Sequence, residues 1–150
     1  MHRPVPVKEK RQVRHLEEAE QVALFEWRDL NVRRYPGLDL MFAIPNGAFL
    51  HGDRGRRAMQ WRRLRRAGAK SGVHDILLPV PRHKKNGLWI ELKSDKGELS
   101  DEQVDWGRQM IEQGFAVAVC WGAAQAIDVV IRYWKGAEFE TVNYLPFSVC

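Results

Sequence analysis

Seven consecutive apolar residues, Phe115 to Trp121, restrict this chain more than any other feature. A strand that is apolar at every position has to be covered on both faces, the pattern of sheets with helices on either side. The segment before it reads as one such helix. Ser100-Asp101-Glu102-Gln103 is a capping-box sequence, predicting a helix to about Gln113 that Gly114 ends. Two further β-like runs, Asp75 to Val80 and Leu88 to Lys93, are separated by a polar loop containing Pro and Gly. Leu40 to Ile44 reads as a short buried strand stopped by Pro45-Asn46-Gly47. Apolar spacing predicts other helices over Leu16 to about Asn31, Gly55 to Arg66 and Ala123 to about Trp134. Tyr35-Pro36-Gly37 breaks the first and Gly68 ends the second. The order αβαββαβα predicts an α/β fold, a mixed sheet flanked by helices. Residues 15–150 form one domain in this reading. Residues 1–14, with Pro4 and Pro6 among charges, form a flexible basic arm.

Composition narrows the functional classes. With 150 residues and 45% apolar content the chain can bury one real core. No apolar run approaches the roughly 18 residues of a membrane span, and the polar N-terminus does not resemble a signal peptide. Cys120 and Cys150 are the two cysteines, which suggests neither a disulfide scaffold nor a zinc site and makes a reducing, cytoplasmic setting the default. The net charge is +5, and its distribution is uneven. Arg54 to Lys70 holds eight Lys and Arg and no acid. Arg3, Lys8, Lys10, Arg11 and Arg14 form a second cluster, and Arg82-His83-Lys84-Lys85 a third. Such clusters suit a polyanion whose phosphates release counterions on binding; solvated basic faces are the other reading.

If the two central runs form a hairpin with its loop centred near Lys84, Asp75 pairs with Lys93 and Leu77 with Glu91. Glu91 and Lys93 are two apart and share a face, and Asp75 joins them there. Ile76, Leu78, Ile90 and Leu92 then line the opposite face as core. A register slip of one residue would move Asp75 to that face instead. Two carboxylates and an ammonium at one sheet end suit a hard ion such as Mg²⁺ or Mn²⁺ acting on a phosphodiester. Lys93 would orient water or stabilise charge on the phosphate. An ordinary cross-strand ion pair is the other reading of the same three residues.

The wider context resembles a known family. Gly72-Val73-His74-Asp75, then Trp89-Ile90-Glu91-Leu92-Lys93, then Gly97-Glu98-Leu99-Ser100-Asp101-Glu102-Gln103 is similar to the VRR-NUC nucleases of the PD-(D/E)xK superfamily. That pattern runs G-V-P-D, an apolar E-x-K strand, and G-x-L-S-x-x-Q opening a helix. Pro45-Asn46-Gly47 and Gly114-Phe115-Ala116-Val117 match further family segments, and the resemblance spans roughly Glu17 to Trp134. It implies a restriction-endonuclease-like core and a metal-dependent deoxyribonuclease. Asp75, Glu91 and the Leu92 backbone carbonyl would hold Mg²⁺ or Mn²⁺, with Lys93 catalytic. Gln103 matches a helix glutamine near the family's site and also reads simply as the third residue of the capping box. A first-helix acid is expected as well. Glu17, Glu18 and Glu20 compete for that role, Glu17 standing four before Gln21 and Glu20 four before Leu24, nearer the apolar stripe. His74 departs from the family's proline, leaving φ to its neighbours and offering a ring that could touch phosphate.

For phosphate contacts the arginine helix stands out, with Arg56, Arg57, Arg62, Arg63, Arg65 and Arg66, followed by Lys70. The six tryptophans fall mostly at core-compatible positions, so no base-stacking platform is read from them. Compact single-domain members of the family resemble homodimeric Holliday-junction resolvases. The implied substrate is therefore branched or junction DNA, cut by a two-fold dimer. A nicking or restriction-like endonuclease and a catalytically silent DNA-binding module are the alternatives. The apolar C-terminal segment (Phe139, Val142, Tyr144, Leu145, Phe147, Val149) could form a dimer interface or complete the core.

Overall fold

The computed structural model describes residues 7–46, 50–95 and 97–138, with side chains from residue 12 onward. The apolar run forms strand β4 (Ala116–Trp121), buried through Cys120. It lies parallel to β3 (Leu88–Lys93), paired from Leu88↔Ala116 to Lys93↔Trp121. Parallel neighbours need a crossover, and α3 (Asp101–Glu112) supplies it. On its other edge β3 runs antiparallel to β2 (Ile76–Leu78), which in turn pairs with the short β1 (Phe42–Ala43). The result is the expected mixed sheet, in the order β1-β2-β3-β4.

Strand alternation divides the core. Ala116, Ala118 and Cys120 join Ile76, Leu78, Ile90 and Leu92 on one face. There they meet Leu24 of α1 (Val7–Asn31) and Ala126 and Val130 of α4 (Ala123–Lys135). Val117, Val119 and Trp89 occupy the other face, beneath Val104, Trp106 and Met110 of α3. Trp89 meets Trp106 edge-on at 5.5 Å and Phe115 at 6.4 Å. Each large apolar side chain removed from water in these layers contributes roughly 1.5–3 kcal/mol. The two ends of α3 are set locally. Ser100 Oγ accepts from the Gln103 amide and Gln103 Oε1 accepts from the Ser100 amide, at 3.2 and 2.9 Å. Gly114, at φ 83, turns the chain out of the helix into β4.

The second helix, α2 (Arg54–Arg66), is a different kind of element. Asp53 caps it by accepting from the Arg56 amide at 2.9 Å, yet it buries no residue. Ala58, Trp61 and Leu64 therefore do not form a core face; Leu64 is 42% exposed. Among the described residues no helix is long and apolar enough to cross a membrane.

Several expectations change, and the strand expected over Asp75 to Val80 contracts to Ile76–Leu78. Helix α1 starts at Val7, so residues 7–14 of the expected arm are helical. The strand expected over Leu40 to Ile44 contracts to Phe42–Ala43 behind a 3₁₀ turn at Leu38–Leu40. The hairpin register differs by two residues: Leu77 faces Trp89, not Glu91, and Asp75 comes beside Glu91, not Lys93. Its cause lies in the loop. His83 and Lys84, both at positive φ, make a two-residue turn closed by Arg82 and Lys85. Pro79 and Pro81 cannot donate to a ladder, and the segment carrying them is one residue longer than Asn86-Gly87 opposite. A slip of two keeps every side chain on its predicted face. Phe139, Val142, Tyr144, Leu145, Phe147 and Val149 lie outside the described residues.

Gly72 sets how closely the strand lead-in approaches α3. It sits at φ 80, and a Cβ there would collide with the Glu102 backbone carbonyl. Gly68 has a similar φ of 100 and open space around it. Gly68→Ala should therefore cost only the left-handed backbone term, about 1–2 kcal/mol. Gly72→Ala should cost clearly more, because α3 must shift as well. Chemical denaturation of the two variants checks this, and equal losses would rule out the steric account.

Candidate active site

Alternation along β3 sends Ile90 and Leu92 into the α1–α4 core and Glu91 and Lys93 to the opposite face. The Glu91 carboxylate is buried, with 1% of its surface exposed. Its Oε1 lies 2.9 Å from Lys93 Nζ and accepts a short hydrogen bond from Gln103 Nε2. Its other oxygen, Oε2, is buried with no hydrogen-bond partner among the described residues. Burial, and then the like charge of Asp75, push the Glu91 pKa up to about 8 against the pull of Lys93. Asp75 enters from the residue preceding β2, where its Oδ2 accepts from the Leu92 amide at 3.0 Å. Burial raises its carboxyl above the ordinary range, while that amide, Lys93 and Asn46 hold it down. A buried and a half-buried acid thus share one ammonium, an arrangement short of positive charge.

Gln103 serves both roles that its position suggested. Its side-chain oxygen closes the capping box while its amide nitrogen donates to Glu91. Its backbone carbonyl receives His74 Nε2 at 3.1 Å. His74 is fully buried, and burial lowers its pKa to about 4, so the ring is neutral near pH 7. A carbonyl only accepts, so Nε2 carries the proton. The suggested phosphate contact by His74 is thereby corrected: the ring ties the approach to β2 onto α3, out of reach of a ligand.

The first-helix glutamates separate. Glu17 lines the same cleft as Asp75 and Glu91, and its Oε1 accepts from the Ser94 amide at 3.3 Å. Glu20 instead accepts from the Ala123 amide at 2.6 Å, filling the N-terminus of α4 where Gly122 offers no side-chain cap. Glu20 therefore caps a helix and does not line the cleft, whereas Glu18 lines it beside Glu17.

These groups sit in a cleft of about 1130 Å³. It exceeds the roughly 300–1,000 Å³ of most small-molecule sites and suits a length of polymer. Lys70 lines it, and Arg14 of α1 stands among the lining residues too. Arg56, Arg57, Arg62, Arg63, Arg65 and Arg66 are solvent-exposed and do not line it; α2 contributes Trp61 alone. The sequence placed Trp61 only at a core-compatible position and Asn46 only in the Pro45-Asn46-Gly47 segment, with no part in the site for either side chain. Asn46 donates to the Val73 carbonyl at 2.6 Å and hydrogen-bonds Asp75, and its place in the Pro45-Asn46 segment was the available clue.

Among the described residues no three His, Cys, Asp or Glu side chains converge as a metal cage. A hard divalent cation does not require one. Mg²⁺ commonly takes one or two carboxylates and keeps several waters. The orphaned Glu91 Oε2 beside a second acid fits such an ion.

A family model for the VRR-NUC domain matches residues 17–124. A solved structure named "VRR_NUC domain protein" superposes with a TM-score of 0.65 at 21% sequence identity, covering 87% of this chain and 97% of that one. At that identity the likeness is one of fold. No curated protein matches the chain.

The raised acid has a stability consequence. A carboxyl that holds its proton more tightly when folded contributes stability below its unfolded pKa of 4.5, and loses it as pH rises through about 8. Glu91→Gln keeps the shape and removes the buried charge. In metal-free buffer its melting temperature should exceed wild type above about pH 8, and the gap should close toward pH 5. A variant less stable than wild type at every pH would contradict the uncompensated charge.

Proposed function

The chain belongs to the VRR-NUC domain family, a nuclease-type DNA-processing domain, and on that footing we propose that it is a divalent-metal-dependent endonuclease hydrolysing DNA phosphodiester bonds. The observation that carries this reading is the buried Glu91 oxygen without a partner among the described residues, next to Asp75 in an open cleft whose lining also includes Arg14, Lys70 and Lys93. Asp75, Glu91 and the Leu92 carbonyl would hold Mg²⁺ or Mn²⁺. When bound, the ion polarises the scissile phosphate and makes an attacking water more acidic.

The chain's own groups do the rest. The Lys93 ammonium has three donors, of which one serves Glu91. The others can meet a phosphate oxygen and an incoming water, stabilising charge that grows in the transition state. Gln103 holds Glu91 in place from α3, so the carboxylate need not reorganise during the reaction. Glu17 adds a further acid to the cleft lining, available to accept a proton from water. The exposed α2 arginines and Lys70 contact phosphates along the strand and position it without reading sequence.

Branched DNA is the proposed substrate, and a two-fold dimer the proposed assembly, because one site per chain cuts two symmetric strands only when paired. The test is cleavage of labelled four-way junction, flap, duplex and single-stranded DNA with Mg²⁺ or Mn²⁺. Asp75→Ala should abolish cutting, and Lys93→Ala should slow it by about 10²–10³-fold. Glu17→Ala should lose activity while remaining folded at the assay temperature, with a modest stability loss from the freed Ser94 amide. Glu20→Ala should lose about 1 kcal/mol of stability with its turnover retained. Cleavage by Asp75→Ala at the wild-type rate would refute the mechanism. Duplex cut as fast as junctions would remove branched-DNA specificity and leave the nuclease.

A further inference from the structure

Trp61 is the residue that neither the fold nor the proposed chemistry uses. It is half-buried on a helix where only Gln60 is otherwise shielded. It belongs to neither hydrophobic core cluster, yet it lines the cleft that holds Asp75, Glu91 and Lys93. Its surroundings are built rather than incidental. Gln60 grips the His51 backbone on both sides, accepting from the amide at 3.0 Å and donating to the carbonyl at 2.9 Å. That clamp fastens the neighbouring Leu50, another cleft residue, to the helix that carries Trp61. The cleft therefore carries an indole and a leucine in its lining together with the acids, and the arginines of the same helix are exposed to solvent.

We propose that Trp61 stacks on an unpaired base of the DNA strand in the cleft, making α2 the element that selects strands with an unstacked nucleotide near the scissile phosphate. The inference rests on the nuclease reading and names its substrate class. Every base offers a π-face, so an indole binds without regard to sequence. A base kept in a duplex stack is not available to it, whereas one at a junction, flap or single-stranded end is.

Binding in the absence of divalent metal tests the stack without involving cleavage. The probes are fluorescein-labelled oligothymidylate, the same strand carrying abasic sites, and a duplex of equal length, followed by anisotropy. Trp61→Ala should weaken oligothymidylate binding on the order of ten- to a hundredfold, Trp61→Phe should retain most of it, and duplex binding should barely change. The abasic strand should bind wild type as weakly as oligothymidylate binds Trp61→Ala, with no further loss when both changes are combined. The abasic comparison uses unaltered protein, so it holds even if Trp61→Ala proves unstable. Equal affinity of wild type and Trp61→Ala for oligothymidylate overturns the stack and leaves the nuclease reading standing. So does an equal loss by Trp61→Ala on the abasic strand. Wild type that binds none of the probes overturns both.

Discussion

Glu91 is a carboxylate set into the interior at the end of a central strand, and the site is organised around keeping it there. Removing a charge from water is tolerable when enough opposite charge and hydrogen bonding surround it. Here Lys93 and Gln103 share one oxygen, the other has no partner among the described residues, and Asp75 stands beside it. The protein holds the group at a free-energy cost that ordinary packing would have avoided. Functional sites are where such costs concentrate.

That constraint explains several features of the fold. Sheet alternation supplies the needed asymmetry, with one face of β2 and β3 wholly given to the α1–α4 core and the other split between α3 packing and the acids. The first turn of α3 meets the β2 lead-in and β3 at three points: Gly72 against Glu102, His74 to the Gln103 carbonyl, and the Gln103 side-chain amide to Glu91. A buried neutral histidine at position 74 thus performs a clamping task in place of a fixed backbone angle. Glu17 and Glu20, three residues apart on one helix, serve different ends because β3 and α4 meet α1 at different points.

Much of this was legible in the residues. The apolar run at 115–121, the capping box at Ser100 and the E-x-K spacing each depend on local rules, and their elements came within a few residues of prediction. Faces were more robust than register: a loop with two prolines shifted the pairing by two, which alternation forgives. What could not be read depends on long-range geometry. Nothing in the sequence shows that Glu20 reaches the Ala123 amide, that His74 is enclosed, or that α2 packs against no core. Trp61 resembled a core residue because spacing reports a face, and not what that face meets.

The central claim is that Asp75 and Glu91 hold a cation that offsets their buried charge. Titrating Mn²⁺ into metal-free protein, with the free ion followed by electron paramagnetic resonance, tests it most directly. The account predicts saturable uptake by wild type and by Lys93→Ala, and its loss in Glu91→Gln and Asp75→Asn. Uptake by those two carboxylate variants equal to wild type, or none by wild type, would contradict it.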